Sequence, residues 1–187
     1  MNQPQRLPMV SDADATEAQR ELLATLQRPD GQALNIFRVL ANHPDLTRRW
    51  LVFGNHILGK STLDARTREL VILRTGWLSG SDYEFGQHVL IAREAGVSDD
   101  DIYRTRTGPD DAGWSDADRA ALRAADELHA DQQITDPSWA ALTAHFDTQQ
   151  CMDLVFTVGQ YVLVSMALNA FGVPRDAGVP GFDPEPT

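Results

Sequence analysis

Glu69 and His88 are the residues of this chain whose types and spacing best suit chemistry. The glutamate sits in LDARTRELVILRTGW and the histidine follows in SGSDYEFGQHVLIAREAG. Both stretches read as helices, joined by the short break Ser79-Gly80-Ser81. At 1.5 Å rise per helical residue, each side chain lies roughly 12–17 Å from the turn of an antiparallel helix pair. A carboxylate and an imidazole therefore stand at similar height on neighbouring helices. Such a pair can move a proton near neutral pH, with the carboxylate orienting the ring.

Those two helices must be held by others, and helix signals dominate the chain while strand signals are nearly absent. Residues 1–15 read as an irregular arm, because Pro4 and Pro8 prevent an early helix. A first helix is predicted over Thr16–Gln27, stopped by Pro29 and Gly31. Asn35 can cap a short helix reaching Ala41, and Pro44 opens a longer one to about Leu58, ended by Gly59. The glutamate helix starts near Asp64. Ser81-x-x-Glu84 has the form of a capping box for the histidine helix, which Gly96 ends. Ser98 with three aspartates starts a short sixth helix, and Ser115 caps a seventh through His129. Asp136-Pro137 starts an eighth ending near Phe146. Asp147 caps a ninth that runs to Phe171 and is closed by Gly172. The expectation is an all-α bundle of about eight to nine helices: one domain over residues 16–176, with residues 177–187 as a flexible tail.

The ninth helix is apolar around most of its circumference, yet Asp153, Thr157, Gln160, Tyr161, Ser165 and Asn169 recur mostly at steps of three or four. That polar stripe, with no basic flank, favours a central or interface helix over a membrane span. Buried polar groups need partners, and a pocket wall would supply them. Tyr161 is the stripe residue assigned to the substrate.

Other side chains near the pair carry open alternatives. Glu69 precedes Leu70-Val71-Ile72-Leu73, an apolar run facing most directions, so desolvation should raise its pKa; an ion pair with Arg66, Arg68 or Arg74 is the plainer possibility. His88 precedes Val89, Leu90, Ile91 and Ala92, where a satisfied core histidine is the plainer role. Glu84 has a structural role as reciprocal partner of Ser81, or else faces substrate one turn from His88. Tyr83 either packs or donates its hydroxyl to an anionic intermediate. His56, in FGNHILGK with Asn55 beside it, either reaches the same pocket or sits at a helix end favoured by the dipole. No HExxH or paired CxxC marks a metal site, and no glycine-rich loop marks a nucleotide cofactor, so neither metal nor cofactor is expected.

The pattern of Glu69, Tyr83-Glu84 and His88 resembles the carboxymuconolactone decarboxylase superfamily, which includes the AhpD-like alkylhydroperoxidases. The resemblance runs from about Asn35 to Asp176. It implies an AhpD-like helical bundle, a homo-oligomer (trimer or hexamer), and a pocket between subunits or between the fourth, fifth and ninth helices. In the AhpD branch a CxxC precedes the histidine; here Ser81 and Glu84 fall on those two positions. Cys151 is the only cysteine, so dithiol chemistry within the chain is excluded. The resemblance therefore implies a cofactor-independent lyase or isomerase using Glu69 and His88 for acid–base work, with Tyr83, Glu84, His56 and Tyr161 against the substrate. Arg74 is the nearest cation to the pocket segments. That scarcity favours a small, weakly charged carbonyl or lactone-type substrate over a strongly anionic one. Two alternatives remain: a non-catalytic helical oligomer binding an apolar ligand or a partner, and a peroxidase acting through Cys151.

At 187 residues the chain suits one domain with a full core. A formal charge of −11 argues against unspecific nucleic-acid binding, since no basic stripe could displace phosphate counterions. The first residues lack an apolar run and a basic leader, and a cytoplasmic protein is expected.

Overall fold

The structure, a computed structural model, describes residues 4–183. Among these the chain forms nine helices: α1 (Glu17–Ala24), α2 (Asn35–Leu40), α3 (Pro44–Gly59), α4 (Ala65–Leu78), α5 (Asp82–Glu94), α6 (Asp99–Arg104), α7 (Asp116–Asp131), α8 (Asp136–Thr143) and α9 (Thr148–Phe171). One isolated bridge pairs Gln27 with Ala33, and no strand forms among the described residues. The starts follow local chemistry. Asp64, Ser98 and Ser115 each accept the backbone N–H three residues on, while Thr16 with Gln19 and Asp147 with Gln150 form reciprocal capping boxes. Two ends come earlier than expected. Thr25 turns its hydroxyl back onto the Leu22 carbonyl and ends α1 before Gln27. Thr143 does the same to the Trp139 carbonyl, and α8 stops short of Phe146.

The central element is α4, which packs against α5, α7 and α9. Its run Leu70-Val71-Ile72-Leu73 is buried on every side. Val71 joins Ala121, Ala124 and Ala125 of α7, Leu142 of α8 and Leu154 and Val158 of α9. Leu70 and Leu73 join Phe85 and Val89 of α5, Ile102 of α6 and Leu122 of α7. Ile72 meets Ile57 of α3 and Tyr161 of α9. A helix this apolar all round can only be an inner one. The small alanine face of α7 lets its neighbours approach closely.

Long and apolar enough to cross a membrane by composition, α9 instead packs against α4 and α7 and, less extensively, α3, α5 and α8. Its other face leaves Met152, Phe156, Leu163 and Met166 exposed, next to Val52 and Phe53 of α3.

Two expectations about the edges of the domain need correction, and the arm needs one addition. Asn35 is not a cap: Leu34 holds that position, and the Asn35 side chain donates to the carbonyls of Pro174 and Arg175. The arm is irregular but packed, with Val10 buried against Ala15, Leu22 and Leu23; residues 1–3 of that arm lie outside the described residues. Nor is residues 177–183 a free tail. Val179 is buried, Phe182 stacks edge-on against Trp77 and Phe85, and its backbone N–H donates to Asp82; the remaining expected tail, 184–187, lies outside the described residues. This segment crosses α5 at Gly86, where a Cβ would stand 1.9 Å from the Pro180 carbonyl oxygen.

Only glycine fits that crossing. Gly86→Ala should lower stability by about 1–3 kcal/mol, the usual cost of overpacking, and open residues 177–183 to protease. Thermal melts and limited proteolysis check this; unchanged behaviour in both would show that the crossing is not maintained.

Candidate active site

The two residues expected to meet do meet. Glu69 projects from α4 and His88 from α5, and Glu69 Oε2 lies 2.6 Å from His88 Nδ1. The carboxylate is fully buried and the imidazole nearly so. Glu69 Oε1 also accepts from Arg68 Nε at 3.0 Å. Burial alone would raise the Glu69 pKa, but the His88 and Arg68 contacts outweigh it and hold the carboxyl below its ordinary range. This reverses the direction expected from desolvation: Glu69 is an ionised anchor. An ionised carboxylate on Nδ1 fixes the N–H there, leaving Nε2, which has no hydrogen-bond partner among the described residues, open to proton exchange. The Tyr161 ring stands perpendicular to the imidazole at 4.8 Å.

His88 lies on the wall of a cavity of about 150 Å³ between α2, α3, α5 and α9. Its lining is largely apolar, with Ile36, Trp50, Leu58, Ile91 and Val164 prominent. Asn55, Tyr83, Glu84, Gln87, Gln160 and Tyr161 add polar or amphipathic groups. An apolar cleft with a few convergent polar groups is the usual form of a small-molecule site. No arginine or lysine lines it. Arg74, the nearest cation by sequence, binds both Asp126 oxygens and the carbonyls of Thr105 and Arg106 instead.

Glu84 departs most from expectation. Ser81 does precede α5, but its side chain makes no capping bond, so the capping box does not form. The Glu84 side chain turns inward between α4 and α9. Both its carboxyl oxygens are buried without a hydrogen-bond partner. One would lie 3.2 Å from a Cβ at Gly76, so the absence of a side chain there makes room for it. Burial pushes its pKa well above the ordinary range, and the neighbouring Ser165 hydroxyl, which makes no well-formed bond with it, offsets little of that. The α9 stripe splits accordingly. Asn169 donates to the Ser79 carbonyl and Asp153 accepts from Thr62, whereas Thr157 Oγ1, Gln160 Oε1 and Ser165 Oγ stay unpartnered.

Of the other candidates, Tyr83 lends its ring to the pocket, but its hydroxyl is occupied. It donates to Asp176 at 2.6 Å and accepts from the Ile36 N–H, so it cannot also serve an anionic intermediate. Burial, then Asp176, raises its pKa. Gln87 donates to the same carboxylate. Sequence reading missed Asp176 because nothing local distinguishes it from other acidic loop residues. His56 is absent from the pocket: half exposed, it faces Asp153 at 3.9 Å, while its neighbour Asn55 does line the cavity. Tyr161 lines the pocket; burial, then the negative charge of Glu69, raises its pKa. Cys151 is buried, and burial, then Asp147, pushes its thiol up, away from the reactive thiolate. No group of three or more His, Cys, Asp or Glu side chains is placed to hold a metal ion among the described residues.

Comparison with known proteins agrees with this architecture. Residues 44–127, spanning α3 to most of α7, match the carboxymuconolactone decarboxylase family. An uncharacterized protein of Bacillus subtilis (strain 168), YdfG, is 25% identical over 103 residues, which are 54% of this chain and 70% of that one. An alkylhydroperoxidase AhpD core from Ralstonia eutropha JMP134, an uncharacterized peroxidase-related protein, superposes with a TM-score of 0.80 at 19% identity, covering 95% of each chain. The debrominase Bmp8, in complex with 2,3,4-tribromopyrrole, superposes with a TM-score of 0.72 at 13% identity over 95% of this chain and 94% of that one. Residues 44–127 thus resemble the carboxymuconolactone decarboxylase family, and the chain has the AhpD-like helical fold, with Ser81 and Glu84 where a CxxC would stand.

Proposed function

We propose that this protein is a cofactor-independent lyase or isomerase that moves protons with the Glu69–His88 pair on a small carbonyl compound. The observation that carries the proposal is the 2.6 Å contact between Glu69 Oε2 and His88 Nδ1 at the wall of an apolar pocket. Glu69 fixes the ring and stabilises the imidazolium; Nε2 takes a proton from carbon or returns one. The pocket's lack of a basic side chain favours a weakly charged substrate. Its volume suits a molecule of roughly benzene size, since an apolar cavity of about 150 Å³ holds benzene. That Bmp8 holds a bromopyrrole on a similar fold supports a small, apolar ligand here. The Cys151 peroxidase alternative is disfavoured by that thiol's burial.

The protein is further proposed to be cytoplasmic and to act as a homo-oligomer, a trimer or hexamer as the family resemblance implies. The exposed side chains of α3 and α9 form the apolar face a second copy would cover, with Phe53 and Phe156 already edge to face at 6.0 Å. Ultracentrifugation should find an oligomer at micromolar concentration, and Phe156→Asp should shift it toward monomer. A monomeric wild type would exclude this face as a self-contact.

If Glu69 and His88 act as one unit, their losses should not add. On a carbonyl substrate found by screening, His88→Ala should lower turnover by about 10²–10⁴-fold, the usual contribution of a positioned acid or base. The double variant with Glu69→Gln should be little worse. Additive losses would separate the two roles, and full activity in His88→Ala would remove this site from consideration.

Glu69 also predicts a pH dependence. Its carboxyl is depressed in the folded state, so its stabilisation is present above the unfolded value of 4.5 and lost as pH falls through the folded one. Thermal melts should show wild type losing more stability than Glu69→Gln between neutral pH and about pH 3. Parallel losses would mean that the pair is not charged in the fold.

A further inference from the structure

Two buried carboxyl groups stand near His88, and their surroundings push them in opposite directions. Glu69 is ionised by its partners. Glu84 lines the pocket with its carbon chain, while both its oxygens are enclosed just behind the wall without a hydrogen-bond partner. An unpaired carboxylate there would be costly; a carboxylic acid is far less so. One turn before His88 on α5, Glu84 lies about 5–6 Å from it between Cβ atoms, on the same helix face. No arginine or lysine lines its pocket: Gly76 of α4 lies beside it, Ser165 of α9 is its neighbouring hydroxyl, and Gln160 and Tyr161 of α9 and His88 of α5 share the pocket. The Gln160 carbonyl and Ser165 hydroxyl also lack partners, so this part of the fold carries unspent hydrogen-bonding capacity around one acid.

We infer that Glu84 stays un-ionised and, once its side chain turns from Gly76 toward the pocket, donates its proton in a hydrogen bond to the carbonyl oxygen of the substrate, which selects neutral carbonyl compounds bearing an acidic hydrogen on the adjacent carbon. The inference rests on the pocket being the place of reaction. His88 Nε2 removes the proton from that carbon. The C–H pair becomes the new C=C bond, and the carbonyl π pair moves to oxygen, where the Glu84 O–H meets it. Complete transfer would leave a buried carboxylate, so the proton stays on Glu84 and the intermediate is a hydrogen-bonded enolate beside an imidazolium. Return of the proton from His88, to the same or a conjugated carbon, restores both groups. A carboxylic acid kept neutral by an apolar site serves other enzymes in this way. A carboxylate substrate would find no cation in this cavity and would be rejected.

Phenol is a suitable probe, because its hydroxyl and ring copy a small enol and its size fits the cavity. Infrared difference spectra of the wild type at neutral pH should show the carbonyl band of an un-ionised carboxylic acid, absent in Glu84→Gln and shifted when phenol binds. Phenol affinity should fall by about tenfold in Glu84→Leu, the factor that one lost hydrogen bond amounts to. It should largely survive in Glu84→Gln, which keeps a donor, and in His88→Ala. The wild-type spectrum keeps the test decisive even if a variant fails to fold. An ionised Glu84, a band that phenol leaves unmoved, no phenol binding by the wild type, or equal affinity in folded Glu84→Leu would each overturn the inference. Full turnover in His88→Ala with Glu84-dependent phenol binding would instead overturn the acid–base pair and leave the donor standing.

Discussion

A carboxylate without water must be compensated where it stands, and this requirement organises the molecule. Glu69 lies on a helix buried on all sides, so no rotation of α4 could return it to solvent. Its charge is tolerated because Arg68 and His88 meet its two oxygens. The His88 contact couples α4 to α5 at one register, and α9 closes the third side with Tyr161 against the imidazole. The pair thus ties together the three helices that wall the reactive corner. Breaking one half of such a contact leaves the other half buried and uncompensated, so chemistry and stability share the same atoms.

The asymmetry between Glu69 and Glu84 comes from environment alone. Both are buried glutamates near one histidine, yet the first has charged hydrogen-bond partners, whereas neither oxygen of the second has a hydrogen-bond partner. Exchanging those surroundings would exchange their protonation states. The site therefore obtains an anion and a neutral acid from a single residue type, which lets one small apolar cavity both orient a base and offer a donor.

Much of the architecture was legible in the sequence because its signals are local. Thr16, Asp64, Ser98, Ser115 and Asp147 mark helix starts by hydrogen bonds within three residues. Glu69 and His88 could be brought together from helix rise and a shared turn. What escaped depends on contacts between distant segments. The Ser81–Glu84 spacing satisfies the capping pattern, but the space beside Gly76 and the polar stripe of α9 draw Glu84 inward. Asp176 binds Tyr83 and Gln87 from 93 and 89 residues away in sequence, and no local pattern announces this. His56 fails for a simpler reason: a helix presents neighbours in different directions, and Asn55 took the inward one.

The segment crossing Gly86 follows all nine helices of the described residues, yet it covers Phe85 and Trp77, which sit on helices made much earlier. During synthesis α4 and α5 must leave the ribosome with that aromatic surface bare, and it stays bare until the last helix and its trailing loop have emerged. The growing protein thus carries a sticky, half-finished flank until residues 177–183 have emerged. That interval is when a chaperone would find it, and when two nascent copies would be most prone to adhere wrongly.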